Sequence, residues 1–257
     1  MTEYLLFRLY GPMASWGEID IDESRRWASY PSRSALAGLL GAALGIFRND
    51  VEAQRALISG YRFAIKVLNV GTPLRDFHTI QSSPDKRNVV YRTRTQELAN
   101  KHMLGTLLSK REYRCDSLAL VAVEALAGAR WTLAEIRSKL NSPIFPLYLG
   151  RKSCPPALPL APVLITAGSL FDVFREKQYS ILALTAWRKD KVEAEWPTHE
   201  DKRVLGLRHQ TVRFHWEDGE EAGMMPDIQI TRRDRSLSRR RQFAPRRKNV
   251  RLEPENA

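Results

Sequence analysis

Residues Tyr4-Leu5-Leu6-Phe7-Arg8-Leu9-Tyr10 run straight into Gly11-Pro12-Met13-Ala14-Ser15-Trp16-Gly17. The first seven are apolar on both parities with one interruption at Arg8. That pattern predicts a strand buried on both faces. Gly11-Pro12 predicts its end, and Met13–Gly17 a loop carrying a large aromatic side chain. Acidic Glu18–Glu23 follows and reads as exposed. A helix comes next. Ser32 or Ser34 can cap it after Pro31, and Leu36, Leu39, Leu40, Ala43 and Leu44 recur at helical spacing. Gly38, Gly41 and Gly45 cost helix propensity and suit close packing on a sheet.

Asp50 predicts a second short helix through Leu57, and Tyr61–Val70 a β-strand rich in Phe, Ile and Val. Ser117–Val123 predicts another apolar strand, Leu133–Leu140 a helix capped by Thr132, and Pro143–Pro162 an irregular crossing. Ser180–Trp187 and Val212–Trp216 predict further strands. This β-α-α-β-arm-β-α-β order predicts an α+β sandwich with helices on one face of an antiparallel sheet. A ferredoxin-like or RNA-recognition-motif fold fits it, as do other α+β arrangements.

The chain has 257 residues, 43% of them apolar, enough for a folded core in one or two domains. Its formal charge is +12, unevenly placed. Residues 232–251 hold ten Arg/Lys against one Asp, and residues 79–114 hold eight Arg/Lys against three Asp/Glu. The remainder is slightly acidic. Two basic segments on such a body point to a polyanionic partner, nucleic acid first. The competing reading is that they are merely solvated.

Two cysteines, Cys115 and Cys154, make neither a disulfide framework nor a Cys-based zinc site, and read as reduced cytosolic thiols. Arg8 interrupts any signal-peptide run. The longest apolar stretch, Ala35–Phe47, is 13 residues with three glycines, against roughly 20 for a membrane span. The five histidines are scattered and no metal or phosphate-loop motif is present. Asp20 and Asp22 alone do not make a metal site. No metal and no cofactor are expected.

Residues 79–114 are polar, basic and poor in core periodicity. Val89–Thr95 reads as a strand with Arg92 and Arg94 on one face, and Lys110–Arg114 as its return partner. Together they predict a long hairpin arm, with a surface loop as the alternative. Arginine gives bidentate phosphate contacts and stacks on bases, and single strands want aromatic platforms. Trp16, Tyr91, Tyr113 and Tyr148 are candidate platforms. Arg151 and Lys152 follow a tight turn at Gly150, Arg33 opens the first helix, and Arg75-Asp76 reads either as a binding arginine or as an internal ion pair. Metal-free RNA cleavage needs a base near the 2′-hydroxyl and a cation for the phosphorane charge. Lys101-His102 supplies both types, although neighbours on a strand point to opposite faces.

Gly11-Pro12-Met13-Ala14-Ser15-Trp16-Gly17 after an N-terminal strand resembles the opening of the CasD family, the fifth-family Cas subunits of the type I-E CRISPR complex Cascade. The resemblance continues in Pro31-Ser32-Arg33-Ser34 leading into Leu39–Ile46, in Arg75-Asp76-Phe77-His78-Thr79, in Arg111–Asp116 and in Tyr148–Pro155. These ordered motifs cover roughly residues 4–160, and Gln242-Phe243-Ala244 resembles the family's closing segment. The resemblance implies a modified RNA-recognition-motif domain over residues 1–231 with a β-hairpin thumb inserted at about 79–114. Residues 232–257 are expected as a basic C-terminal tail outside the family pattern, suited to RNA or to target DNA near the foot of the complex.

The resemblance further implies a cytoplasmic, prokaryotic antiviral role without membrane contact. The protein is expected to grip the 5′ handle of the guide crRNA and to touch a CasC-type backbone subunit and a CasA-type large subunit. Catalysis is not expected, because a separate CasE endonuclease cuts the precursor in type I-E systems. The equivalent type I-C subunit is a nuclease, so a metal-independent endoribonuclease using His102 and Lys101 is the alternative. The expected RNA contacts are Arg92, Arg94, Arg111 and Arg114 in the thumb and Arg33, Arg75, Arg151 and Lys152 on the body, with Trp16 and His78 toward bases.

Overall fold

The computed structural model describes residues 1–17, 28–83, 90–99, 101–175, 203, 211–217, 225–236 and 243–254. Eight antiparallel strands form one sheet: β1 (Thr2–Ala14), β2 (Tyr61–Asn69), β3 (Thr72–Ser82), β4 (Gly105–Ala125), β5 (Val163–Ala167), β6 (Thr211–Glu217), β7 (Ile228–Ser236) and β8 (Phe243–Pro254). The order is β5-β1-β4-β2-β6-β8-β7, and β3 pairs with β4 beside this path. The helices are α1 (Arg33–Leu44), α2 (Val51–Gly60), α3 (Arg94–Leu98), α4 (Leu133–Asn141) and α5 (Leu170–Arg175). None of them is long and apolar enough to cross a membrane.

The sheet is buried on both faces, which is why its central strands read as nearly continuous apolar runs. On one face Leu5, Phe7, Leu9, Phe63, Ile65, Val121 and Val123 pack against Leu36, Leu39 and Leu40 of α1, Leu57 of α2 and Ile136 of α4. On the other, Tyr4, Leu6, Leu120, Ala122, Phe214 and Trp216 pack against Leu170, Phe171 and Val173 of α5. The expectation of helices on one face only is therefore corrected: α5 covers the second face, next to residues whose pattern gave no sign of it.

Local signals placed the helices well. The Ser32 hydroxyl accepts from the Ala35 amide at 3.2 Å. Gly45, at φ 74°, ends α1, with its own amide bonded to Ala42 and that of Ile46 to Gly41. Asp50 caps α2, and a Thr132–Glu135 capping box opens α4. Strand ends were less legible. Gly11-Pro12 does not stop β1, which runs to Ala14 because Met13 and Ala14 still pair with Cys115 and Arg114.

Three further expectations change. The strand predicted at Val89–Thr95 does not form over its described residues 90–95, where Arg92 and Thr93 make a bend and Arg94 begins α3, while Val89 lies outside the described residues. Lys110–Arg114 instead pairs with Pro73–Phe77, so the hairpin runs from Thr72 to Cys115 and is longer than the 79–114 read from composition. The predicted tail is also part of the sheet: β8 pairs with β6 and β7 with β8, and the expected boundary at 231/232 falls inside β7. Val212–Trp216 is a strand as predicted. Glu18–Glu23, Ser180–Trp187 and Gln242 lie outside the described residues.

Candidate nucleic-acid interface

β4 has 21 residues, a length of about 70 Å at the usual strand rise. Its C-terminal half lies between β1 and β2 in the core, while residues 105–113 leave the core and pair only with β3; Arg114 and Cys115, at the root, pair with both β1 and β3. This builds a projecting arm with two exposed faces.

The arm's base is locked. Asn69 donates from Nδ2 to the Asp116 carbonyl at 3.0 Å and accepts the Gly71 amide on Oδ1 at 2.9 Å. Gly71 has φ 76°. The Arg114 guanidinium donates to the Gly71 carbonyl at 3.0 Å. Arg114 is only 6% exposed, and burial, followed by the charge of Arg213, pulls its pKa below the ordinary value.

Register sorts the arm's side chains. Leu74/Tyr113, Asp76/Arg111, His78/Ser109 and Ile80/Leu107 are directly opposed pairs on one face. Arg75/Glu112, Phe77/Lys110 and Thr79/Leu108 share the other. On the Tyr113 face, Arg151 sits over the Tyr113 ring, 5.5 Å from its centroid. Lys152 follows it in a turn closed by the Cys154 amide on the Arg151 carbonyl at 2.9 Å. Outward from there come Arg111, half-buried, and His78, whose Nε2 contacts the Asp76 carboxylate. No carboxylate pairs with Arg111, Arg151 or Lys152 among the described residues.

The turn is held against the body by Gly150. At φ 87° it packs so tightly that a Cβ there would overlap the carbonyl oxygen of Ser15 and lie 2.7 Å from its carbon. Ser15 donates its amide to the Leu149 carbonyl at 2.9 Å and its hydroxyl to the Glu112 carbonyl at 3.1 Å. Loop 149–154, the end of β1 and the root of the arm therefore move as one unit.

The remaining predicted residues separate into groups. Trp16 is 5% exposed and belongs to the core, so its ring is not a stacking platform. Tyr113 is likewise buried, whereas Tyr91 and Tyr148 are exposed. Arg33 is an internal cross-link: it pairs with Glu217 and donates to the carbonyls of Ile58 and Tyr61. Arg75 pairs with Glu112 at 2.9 Å while staying largely exposed, so its ion-pair partner is Glu112 across the strand pair and not the adjacent Asp76. Arg94 pairs with Glu97 at 2.6 Å and also reaches the Gln81 carbonyl. Arg92 is exposed, its amide bonded to the Gln96 side chain at 3.2 Å.

Lys101 and His102 lie on a short 3-10 turn at the far end of the arm, both exposed. No group of three or more metal-ligating side chains occurs among the described residues. The sequence selection passed over Lys110 and Arg213, two exposed cations on β4 and β6. The period-2 pattern in each strand already placed them.

The family profile described as CRISPR-associated protein (Cas_Cas5) matches residues 4–250. "CRISPR system Cascade subunit CasD" of Escherichia coli (strain K12) is 34% identical over 168 residues, covering 62% of this chain and 70% of that protein. A chain of a "CRISPR RNA-guided surveillance complex" superposes with a TM-score of 0.61 at 26% identity, over 98% of this chain and 90% of that one. A crystal structure of a Cas protein shares the fold with a TM-score of 0.55 at 22% identity, over 98% of this chain and 96% of that one.

Proposed function

Because the chain belongs to the CRISPR-associated Cas5 family, we propose that it is a subunit of a Cascade-type surveillance complex and that it grips the 5′ handle of the guide RNA. The mechanism is binding, and the domain has the modified RNA-recognition-motif fold that the sequence resemblance implies. The observation that carries the reading is the placement of Arg151 and Arg111 on the Tyr113 face of the arm, leading to His78, with Lys152 exposed in the adjoining turn and none of the three cations in an ion pair among the described residues. Cations held on a rigid strand and a tight turn fix a phosphate backbone at low entropic cost. Beyond them His78 and Ser109 offer polar atoms, and Ile80 and Leu107 apolar surface, suited to contact with bases.

Arg33, Arg75, Arg94 and Arg114 take structural roles, because each is already engaged by a carboxylate or carbonyl of the fold. The backbone and large subunits of the complex are the expected protein neighbours, and cytoplasm the expected location. Target sequence is read by the guide through base pairing.

The test is a native shift with RNA carrying the free 5′ handle, run with EDTA beside a denaturing gel. Arg111→Glu combined with Lys152→Glu removes two phosphate contacts. The slope of log K against log salt should then fall by about 1.4, at roughly 0.7 per contact for a single strand. An unchanged slope rejects this surface. A defined cleavage product that disappears in His102→Ala transfers the reading to an endoribonuclease.

A further inference from the structure

Far along the chain from the arm, two short segments leave large apolar side chains in solvent on a rigid support. Phe47 is 66% exposed and Ile144 53% exposed. Phe47 meets Phe145 edge to face, with ring centroids 5.3 Å apart. The backbone beneath them is bolted down. The amides of Ile144 and Phe145 donate to the carbonyls of Ala43 and Ala42 at 3.1 and 3.0 Å, closing the C-terminal end of α1. Ile144 also lies over Gly45, where an added Cβ would come within 2.8 Å of it. Pro143 and Pro146 flank the pair and limit the loop further. Apolar side chains held this firmly have little entropy to lose on contact, which is the property of an interface anchor.

The surrounding charge says what kind of partner fits. Arg48 adjoins Phe47, Arg137 and Lys139 stand on α4 shortly before Ile144, and no acidic residue lies between Arg137 and Phe145. Arg48, Arg137 and Lys139 have no carboxylate partner among the described residues. Asp50 and Glu135, the nearest acids in sequence to Arg48 and to Arg137, are occupied in capping α2 and α4. An apolar centre with a cationic rim complements a segment that is apolar in the middle and carboxylate-bearing at its ends. An RNA base suits it less well, because Ile144 and the prolines present no π-face and the two phenylalanines are not coplanar.

We propose that Phe47, Ile144 and Phe145 form a docking site for an acidic, apolar segment of a neighbouring protein subunit, separate from the cationic row on the arm. This rests on the Cascade-subunit reading above.

The test uses the full chain co-expressed with the other subunits of its complex and guide RNA. A photo-crosslinking phenylalanine analogue replacing Phe47 should join one protein subunit through a peptide rich in Asp/Glu and apolar residues. Phe47→Asp should weaken retention of that same subunit more than tenfold, with the isolated protein's melting curve and handle-RNA shift unchanged. Arg48→Glu with Lys139→Glu, which leaves the packed residues alone, should weaken it by a factor that shrinks as salt rises. Retention unaffected in both variants overturns the proposal. So does a crosslink to RNA or to a second copy of this chain. If the wild type joins no complex at all, the Cascade reading has failed, and a handle-RNA shift that persists in that case separates the two failures.

Discussion

Gly150→Ala is the most informative single change. Two costs arise at once. At φ 87° an L-residue is disfavoured by about 1–2 kcal/mol. The new Cβ also overlaps backbone, the carbonyl group of Ser15, which no rotamer change can relieve. The two segments must separate by more than an ångström. That loses the Ser15–Leu149 hydrogen bond, about 0.5–1.5 kcal/mol, and strains the packing of buried Trp16 and Leu149 by about 1–3 kcal/mol. The expected destabilisation is about 3–6 kcal/mol. Gly128→Ala is the matched control: its φ is 82°, but a Cβ there has nothing within 4 Å, so only the dihedral cost of about 1–2 kcal/mol applies. Urea unfolding of both variants against wild type isolates the clash. Handle-RNA binding should fall in Gly150→Ala alone, because the Arg151–Lys152 turn is displaced from the arm. Equal destabilisation of the two variants refutes the reasoning that this turn is locked onto Ser15.

Gly38→Ala should stabilise the protein by about 0.5–1 kcal/mol, since Gly38 is an exposed interior residue of α1 with open space at its Cβ; a lower Tm contradicts the helix-face assignment. Asn69→Ala orphans the Gly71 amide and the Asp116 carbonyl, costing about 2–4 kcal/mol. Hydrogen exchange should then accelerate in 72–82 and 105–115 before it does in the core of the sheet. The Glu135 carboxyl is held below the usual range by the Thr132 amide and then by its hydroxyl. A depressed acid stabilises the fold above its unfolded pKa, and that contribution disappears as pH falls through the folded value. Thr132→Ala should therefore lower Tm by about 2–4 °C at neutral pH and by less once the pH has fallen through the depressed Glu135 pKa, where the wild type has lost the charged half of the box; a pH-independent difference rules this out.

The cationic row on the arm was half legible. Arg111, Arg151, Lys152 and His78 stood out by residue type and position; Arg111 and His78 share the face of the arm on which Arg151 covers Tyr113, and Lys152 is exposed in the next turn. Arg33, Arg75 and Arg114 looked equivalent to them and are not. Arg33 meets Glu217, 184 residues away, and Arg75 meets Glu112 across a strand pair. Whether an arginine faces a partner inside the fold depends on register, which composition does not contain. Trp16 illustrates the same point: glycine beside an aromatic reads as an open loop, but Leu149 and the Gly150 turn close over it.

The sequence by itself determined the local pieces: the Ser32 and Thr132 caps, the Gly45 stop, the apolar strands and two concentrations of basic charge. It also carried the ordered motifs of the family. These are contiguous signals, written within one turn or one strand of the residues they control. Tertiary structure alone decided that α5 covers the second face and that the basic C-terminal segment closes the sheet as β7 and β8. It also decided that β4 continues beyond the core to make the arm, and which arginines remain uncompensated. Each of these rests on contacts between residues far apart in the chain. Such contacts exist only once the strands have chosen their partners.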